Sequence, residues 1–309
     1  MIARFAAKLS DMFQSEEAKV RRLLEPGLDK TPRQLFGGVD DDYWLWLLTE
    51  GYRKYPELQK ILPGMPEERV QLQSNGLSGD VALRDAWNFY KVMKGIYAKH
   101  AGNLADARVI VDFGVGWARM IRFFLKDVEP QTLWGIDHYD KVIEVSKQTC
   151  KWGNFELIAP FPPTKFADAS VDLVYAYSVF SHLSEEAHLK WIAEFGRILR
   201  PGGMLIATTW ARDFLLRCRA ARKDTRPEFW TTHLPRIFVD TDRWLAHYDN
   251  GGYCYETDVA QYGDVAHYLG ETAIPKAYVQ QQWGKHLQFV DFIDDHKVTP
   301  QNIIVMKKT

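Results

Sequence analysis

Residues 109–137 constrain this chain more than any other stretch. A short apolar run, Val109-Ile110-Val111, reads as a buried strand and is followed at once by Gly114 and Gly116. Apolar residues at helical spacing begin near Ala118 and predict a helix over about 117–127, and a second strand over 132–136 ends on Asp137. Strand, glycine turn, helix, strand and acid, in that order, build a nucleotide-type cofactor site. Glycines let the backbone turn sharply and approach a ligand closely because they lack a Cβ. An acid ending the second strand is placed to accept both hydroxyl protons of a ribose.

The identity of the cofactor follows from the residues between the glycines. A dinucleotide fingerprint wants a third small residue where this chain has Arg119. It also seats a pyrophosphate on the helix N-terminus, where bulky Trp117 stands instead. The Asp112 carboxylate, just before the first glycine, would repel a pyrophosphate but suits a cationic amino-acid end. S-adenosylmethionine has such an end, together with a sulfonium and a ribose.

At these residues the sequence resembles the class I S-adenosylmethionine-dependent methyltransferases. The pieces that match are Asp112-Phe113-Gly114-Val115-Gly116, Gly135-Ile136-Asp137, the run from Asp172 to Leu183, and Leu199-Arg200-Pro201-Gly202-Gly203. They occur in the family's order over roughly residues 105–210. One departure is Ala118, where many relatives carry a third glycine, and alanine there predicts crowding rather than loss of binding. The resemblance implies an α/β fold: a Rossmann-like, seven-stranded, mostly parallel sheet with helices on both faces. It also implies a terminal β-hairpin that adds one antiparallel strand.

The rest of the core alternates as such a sheet requires. A helix is predicted over about 140–150, strands over 154–158 and 171–176, a helix over about 184–198 and a fifth strand over Met204–Thr209. Pro201-Gly202-Gly203 is expected to stop the helix and turn the chain. Residues 1–100 read as a helical N-terminal extension or lid, with a helix from Leu83 to Lys99 and a hinge between Gly76 and Gly79. Residues 101–309 form the core, with an insertion after strand five at about 210–275 that is rich in aromatics, among them Phe214, Phe229, Trp230, Trp244 and Tyr248. Pro275 opens a short helix, Lys276–Gly284, and the runs 287–293 and 302–307 alternate as the hairpin.

Ligands of open parallel sheets bind at the carboxyl ends of the strands. Asp112, Phe113, Gly114, Gly116 and Trp117 are therefore placed at the methionine part, Asp137 at the ribose, and His138 and Ala159 at the adenine. Tyr177 and Ser178 follow strand four and are placed with the cofactor-binding residues, Tyr177 shaping the pocket rather than acting as a base. His182, in the same loop, is the general-base candidate because imidazole titrates near neutrality. A histidine at a helix start is also an ordinary capping or packing residue, and both readings stand. Asp294-Asp295-His296 is the only dense acid–histidine group; it falls in the hairpin turn and reads as solvated, so no metal site is assigned.

For the acceptor, aromatics interleaved with Asp249, Asn250, Glu256 and Asp258 suit a polar ring, with Tyr253 and Tyr255 as candidates. Arg212, Arg219, Arg222 or Lys223, and Arg226 share one helical face. Such a stripe could grip a phosphate or anionic glycan, or rest on an anionic membrane surface; a solvated face is the plain alternative. The loop after strand four, Ala176-Tyr177-Ser178-Val179, lacks the acid or amide followed by two prolines and an aromatic that amino-directed nucleic-acid methyltransferases usually carry. Lys+Arg 39 against Asp+Glu 40 leaves a formal charge of −1 and no footprint for nucleic acid. Cys150, Cys218 and Cys254 fit neither a zinc pattern nor a disulfide framework. Neither a signal peptide nor a membrane span is evident, so a cytoplasmic location is expected. The reading is an O-methyltransferase for a sugar or glycan-type hydroxyl, its wording closest to bacterial polysaccharide-associated methyltransferases. A small-molecule N- or phenol O-methyltransferase, or a non-catalytic cofactor-binding scaffold, stays open as an alternative. The oligomeric state is not legible.

Overall fold

A computed structural model describes residues 15–224 and 233–309; Arg226, Phe229 and Trp230 lie outside the described residues. Strands β1 (Ile110–Phe113), β2 (Leu133–Asp137), β3 (Asn154–Leu157), β4 (Val171–Ala176), β5 (Leu199–Thr209), β8 (Gln288–Ile293) and β9 (Asn302–Lys307) form one sheet in the order β3-β2-β1-β4-β5-β9-β8. The first five run parallel, and β9 is antiparallel to both neighbours. The terminal hairpin and the single antiparallel strand are as expected. The strand order reverses between β1 and β4, so the crevice of such a sheet opens above these two.

Every residue of β1 and β4 is buried, as in a sheet covered on both faces. Leu173 and Tyr175 of β4 face one apolar layer, while Val174 and Ala176 face another built on Trp191 and Phe195. The first layer is supplied by the N-terminal helices α1 (Glu16–Leu24), α2 (Pro32–Phe36), α3 (Asp41–Trp46) and α5 (Gly79–His100), one-turn pieces aside, and α4 (Glu68–Asn75) precedes α5 in the chain. Trp87, Phe89, Tyr90 and Met93 bury one stripe of α5, which begins earlier than the apolar spacing predicted.

Two local expectations need correction. The helix foreseen over 117–127 is the single turn α6 (Ile121–Phe124). Ala118 adopts φ 59°, a left-handed conformation that interrupts the helix before it starts. Pro201-Gly202-Gly203 does not separate helix from strand, because β5 begins at Leu199 and absorbs the three residues as an irregularity against β4.

Between β2 and β3 lies α7 (Asp140–Thr149), and α8 (Glu185–Ile198) follows β4, capped by the Ser184 hydroxyl. The insertion after β5 folds as α9 (Arg212–Ala221), α10 (Thr241–Asp249) and a two-stranded ribbon of β6 (Cys254–Glu256) and β7 (Glu271–Ala273). Trp210, Phe214, Leu215, Phe238 and Cys254 give it a small core, with Trp244 and Tyr248 packed alongside. Part of the aromatic crowding thus serves the insertion's own packing. The chain closes through α11 (Lys276–Gln282) into β8. Among the described residues no helix is long and apolar enough to cross a membrane.

His188 joins three of these pieces. The Trp283 indole donates to its Nε2 at 2.5 Å, and its Nδ1 meets the Tyr253 hydroxyl at 3.0 Å, which in turn donates to the Leu183 carbonyl. With Nε2 accepting, the ring has no acceptor for a second proton there. Burial pushes its pKa down to about 3. A histidine that must stay neutral when folded contributes stability above its ordinary pKa, and that contribution is lost as pH falls below about 6.5. Urea unfolding should therefore lose about 2 kcal/mol between pH 7 and pH 5 on account of this group. His188→Gln should remove that component of the slope.

Candidate functional site

The turn after β1 is held to the end of β2 by backbone. Ile136 O accepts from Gly114 N at 2.9 Å and Val115 N at 3.2 Å, and Asp137 Oδ2 accepts from Gly116 N at 3.2 Å. Gly114 takes φ 80° and Gly116 φ 53°. A Cβ on Gly114 would overlap Val179 Cγ2, and one on Gly116 would lie 3.0 Å from Ser74 Oγ of α4. Helix α4, ended by Gly76 in the left-handed conformation at φ 72°, thus closes over the glycine turn. Beneath lies a cavity of about 1380 Å³. Single-ligand pockets span roughly 300–1,000 Å³, so this one has room for two ligands.

Most of the residues singled out in the sequence line this cavity: Asp112, Asp137, His138, Ala159, Tyr177, Ser178 and His182, with the glycines, Phe113 and Trp117. The last two do so with their side chains directed into packing. Phe113 lies against Trp191 and Phe195, and Trp117 is 1% exposed with the Arg122 guanidinium 4.8 Å from its ring centre.

The electrostatics are sharply divided. Asp112 is buried, its Oδ2 has no hydrogen-bond partner, and burial pushes its carboxyl up to about 8. Such an orphaned acceptor is stabilised by a cation arriving from the cavity. Asp137 is also raised, chiefly by burial, although His138 and the amides of Gly116 and Tyr139 pull against it. The glycine cradle, the unpartnered Asp112 oxygen and the Asp137 carboxylate fit the amino-acid end and ribose of S-adenosylmethionine.

The loop after β4 is bolted down on two sides. Ser178, at φ 62°, donates its N–H to Thr208 Oγ1 at 2.8 Å, and Gln301 Nε2 donates to Ser178 Oγ at 3.0 Å. Residues 181–184 pair with the insertion through Thr272 N→Ser181 O at 2.8 Å, Gly270 N→His182 O at 2.8 Å and Ser184 N→Tyr268 O at 2.9 Å. His182 Nδ1 lies 3.1 Å from the Gly270 carbonyl and 3.4 Å from Glu271 Oε1. Both partners are acceptors, so Nδ1 carries the proton and Nε2 is left as the free acceptor. Glu271 is 2% exposed and also meets His233 Nε2 at 3.1 Å and the Tyr262 hydroxyl at 2.9 Å. Burial alone would raise its carboxyl, but His182 and His233 outweigh this and hold it well below the usual range. Burial also works to lower the His182 pKa, and the Glu271 charge, with the hydrogen bonds to Glu271 and Gly270, raises it overall.

Three acceptor candidates from the sequence stand elsewhere. Arg212 is exposed and spends its fork on Asp249 at 2.7 and 2.8 Å. Tyr253 is buried on His188, and the Tyr255 hydroxyl donates to the Ala266 carbonyl at 3.0 Å. Arg219 pairs with Asp242, and Arg222 donates to the carbonyls of Pro235, Ile237 and Phe238. These three arginines of the stripe are consumed in holding the insertion together. Trp210, Arg217, Tyr262, Tyr268 and Glu271 line the cavity instead. Tyr262 and Tyr268 belong to the aromatic-rich insertion legible in the sequence, whereas Trp210, Arg217 and Glu271 carried no signal of their own, being delivered by the end of β5, a helix and a three-residue strand. Asp294, Asp295 and His296 are exposed in the hairpin turn, and among the described residues no histidine, cysteine and carboxylate group is arranged to hold a metal ion.

Comparison with known proteins bears on the fold and on the domain that carries the glycine turn. Residues 111–207 match the family described as a methyltransferase domain. No curated protein matches the chain in sequence. Among solved structures, magnesium protoporphyrin IX methyltransferase of Synechocystis, with S-adenosylhomocysteine bound, is similar at 10% identity and TM-score 0.50, covering 85% of this chain and 97% of its own. An S-adenosylmethionine-dependent methyltransferase from Methanosarcina mazei aligns at 16% identity and TM-score 0.46, covering 69% of this chain and 96% of its own. The matched domain holds the glycine turn, Asp137 and the loop after β4; the chain thus carries a methyltransferase domain on a Rossmann-like fold and is an enzyme that uses S-adenosylmethionine.

Proposed function

We propose that this enzyme is an O-methyltransferase for a hydroxyl of a polar, ring-shaped acceptor such as a sugar, with His182 as general base. The observation that carries the reading is the His182 ring, whose Nδ1 is committed to Gly270 and Glu271 while Nε2 is free at the cavity wall. S-adenosylmethionine, when bound, supplies a methyl group on a sulfonium already activated for displacement. Asp112 would take its ammonium, the backbone from Phe113 to Trp117 its methionine part, Asp137 its ribose hydroxyls, and His138 with Ala159 its adenine. Tyr177 and Ser178 shape the floor between cofactor and acceptor.

His182 Nε2 takes the proton from the acceptor hydroxyl as its oxygen attacks. The buried Glu271 carboxylate orients the ring and stabilises the imidazolium that forms, the part an acid plays behind any histidine base. Aromatic faces at Trp210, Tyr262 and Tyr268, interleaved with the polar Gln261 and Gln301, support a ring with several hydroxyls. A cytoplasmic location accords with three buried free thiols.

The reading is tested with a panel of sugar, phenol and amine acceptors, scored by mass spectrometry of the methylated product. Methylation of sugar hydroxyls is expected, and turnover confined to amines or phenols would overturn it. His182→Ala should spare S-adenosylhomocysteine binding and cut turnover by roughly 10²–10⁴-fold. A base works only when neutral, so the rate should fall as pH drops through the raised His182 pKa. Glu271→Gln removes the charge that raises it, so the acid limb of the pH–rate profile should move to lower pH. An unmoved limb would detach Glu271 from the base.

The Asp112 carboxyl must ionise to hold an ammonium, and its pKa is pushed up to about 8. Calorimetry should therefore find affinity for S-adenosylhomocysteine rising between about pH 6 and pH 7.5, by up to about tenfold per unit. Asp112→Asn should flatten that rise.

A further inference from the structure

Four cationic side chains line the cavity, and they are not equivalent. Arg119 is buried and tied to Asp85 at 3.1 Å and to the Ala82 carbonyl at 3.2 Å. Lys141 stands at the start of α7, just past Asp137, on the ribose side. Arg69 of α4 and Arg217 of α9 are exposed and have no carboxylate partner among the described residues.

Arg217 is the exception on its own helix. The arginines that flank it at 212, 219 and 222 are each spent within the insertion, on Asp249, on Asp242 and on backbone carbonyls. Arg217 lies over the Trp210 ring, 5.0 Å from its centre. Trp210 follows β5 directly and bridges to Ala273 of β7, the strand that carries Glu271. The free guanidinium is thus mounted on an indole platform on the same wall as the His182–Glu271 pair. The nearby Glu271 does not claim it, because that carboxylate is already shared by His182, His233 and Tyr262.

We propose that the acceptor is anionic and that Arg217, with Arg69, binds its phosphate-type oxyanion while the hydroxyl to be methylated sits at His182. A guanidinium presents paired N–H donors that match such a group, and its indole support limits the freedom lost on binding. The proposal rests on the acceptor being housed in this cavity. It extends that reading from a polar ring to a ring bearing negative charge.

Binding measured without turnover separates the two. The enzyme is loaded with S-adenosylhomocysteine and titrated calorimetrically with inorganic phosphate, glucose 6-phosphate and glucose. Phosphate should bind, and glucose 6-phosphate at least about tenfold more tightly than glucose. Arg217→Gln should weaken both phosphate ligands about tenfold or more, with S-adenosylhomocysteine affinity unchanged as the sign of an intact fold. Arg212→Gln, which removes a neighbouring positive charge already paired with Asp249, should leave them unaltered. No phosphate binding by the wild-type enzyme, or equal binding by Arg217→Gln, would overturn the assignment. So would an equal loss in Arg212→Gln, which would mark a diffuse charge effect. Phosphate binding that persists in an enzyme inactive on every sugar would sustain this inference and count against the sugar reading alone.

Discussion

The site depends on one small piece of backbone pairing: the carbonyl of Ile136 holding the amides of Gly114 and Val115 while Asp137 holds that of Gly116. These contacts tie the turn after β1 to the end of β2, so the glycine turn and the Asp137 carboxylate form a single unit. The parallel register of β1 on β2, Phe113 against Ile136, brings the two strand ends level. Everything above them is positioned relative to that edge. Helix α4 closes on Gly116, α5 reaches in with Asp85, and the β4 loop presses Val179 against Gly114. A side chain at Gly114 would be excluded both by the left-handed backbone and by Val179, two independent reasons for a residue without a Cβ.

The fold was legible because hydrophobic alternation and strand-ending acids are local signals. Asp112, Asp137 and His182 are found at strand ends, where a parallel sheet must gather them. Helix α6 was misjudged because its apolar spacing is real while the left-handed Ala118 is invisible in composition. The cavity wall built by the insertion was harder to read. Glu271, Trp210 and Arg217 come together through a short ribbon and one isolated bridge, pairings that no periodicity announces. The arginine stripe was a true helical face, but its charges meet Asp249 and Asp242 from another helix, and only the folded chain reveals that partner set.

The buried polar groups divide into two kinds. His188 is fully satisfied by Trp283 and Tyr253 and works as a joint. Asp112 Oδ2 and Glu271 Oε2 are buried without partners, and both belong to the cavity. Unpaired buried oxygens cost stability unless a ligand or neighbouring charge offsets them.

The pairing of residues 181–184 with 268–272 has a consequence for how the enzyme was built. The cofactor edge is made by the sheet and the N-terminal helices, whereas His182 gains its orienting carbonyl and carboxylate from the insertion. His182 is thus set across a seam between the sheet and the insertion. Replacing the insertion with another of similar length would change the partners of His182 and the facing cavity wall together, without touching the glycine turn. The setting of this histidine and the shape of that wall are thereby coupled, and both are separable from the edge that joins β1 to β2.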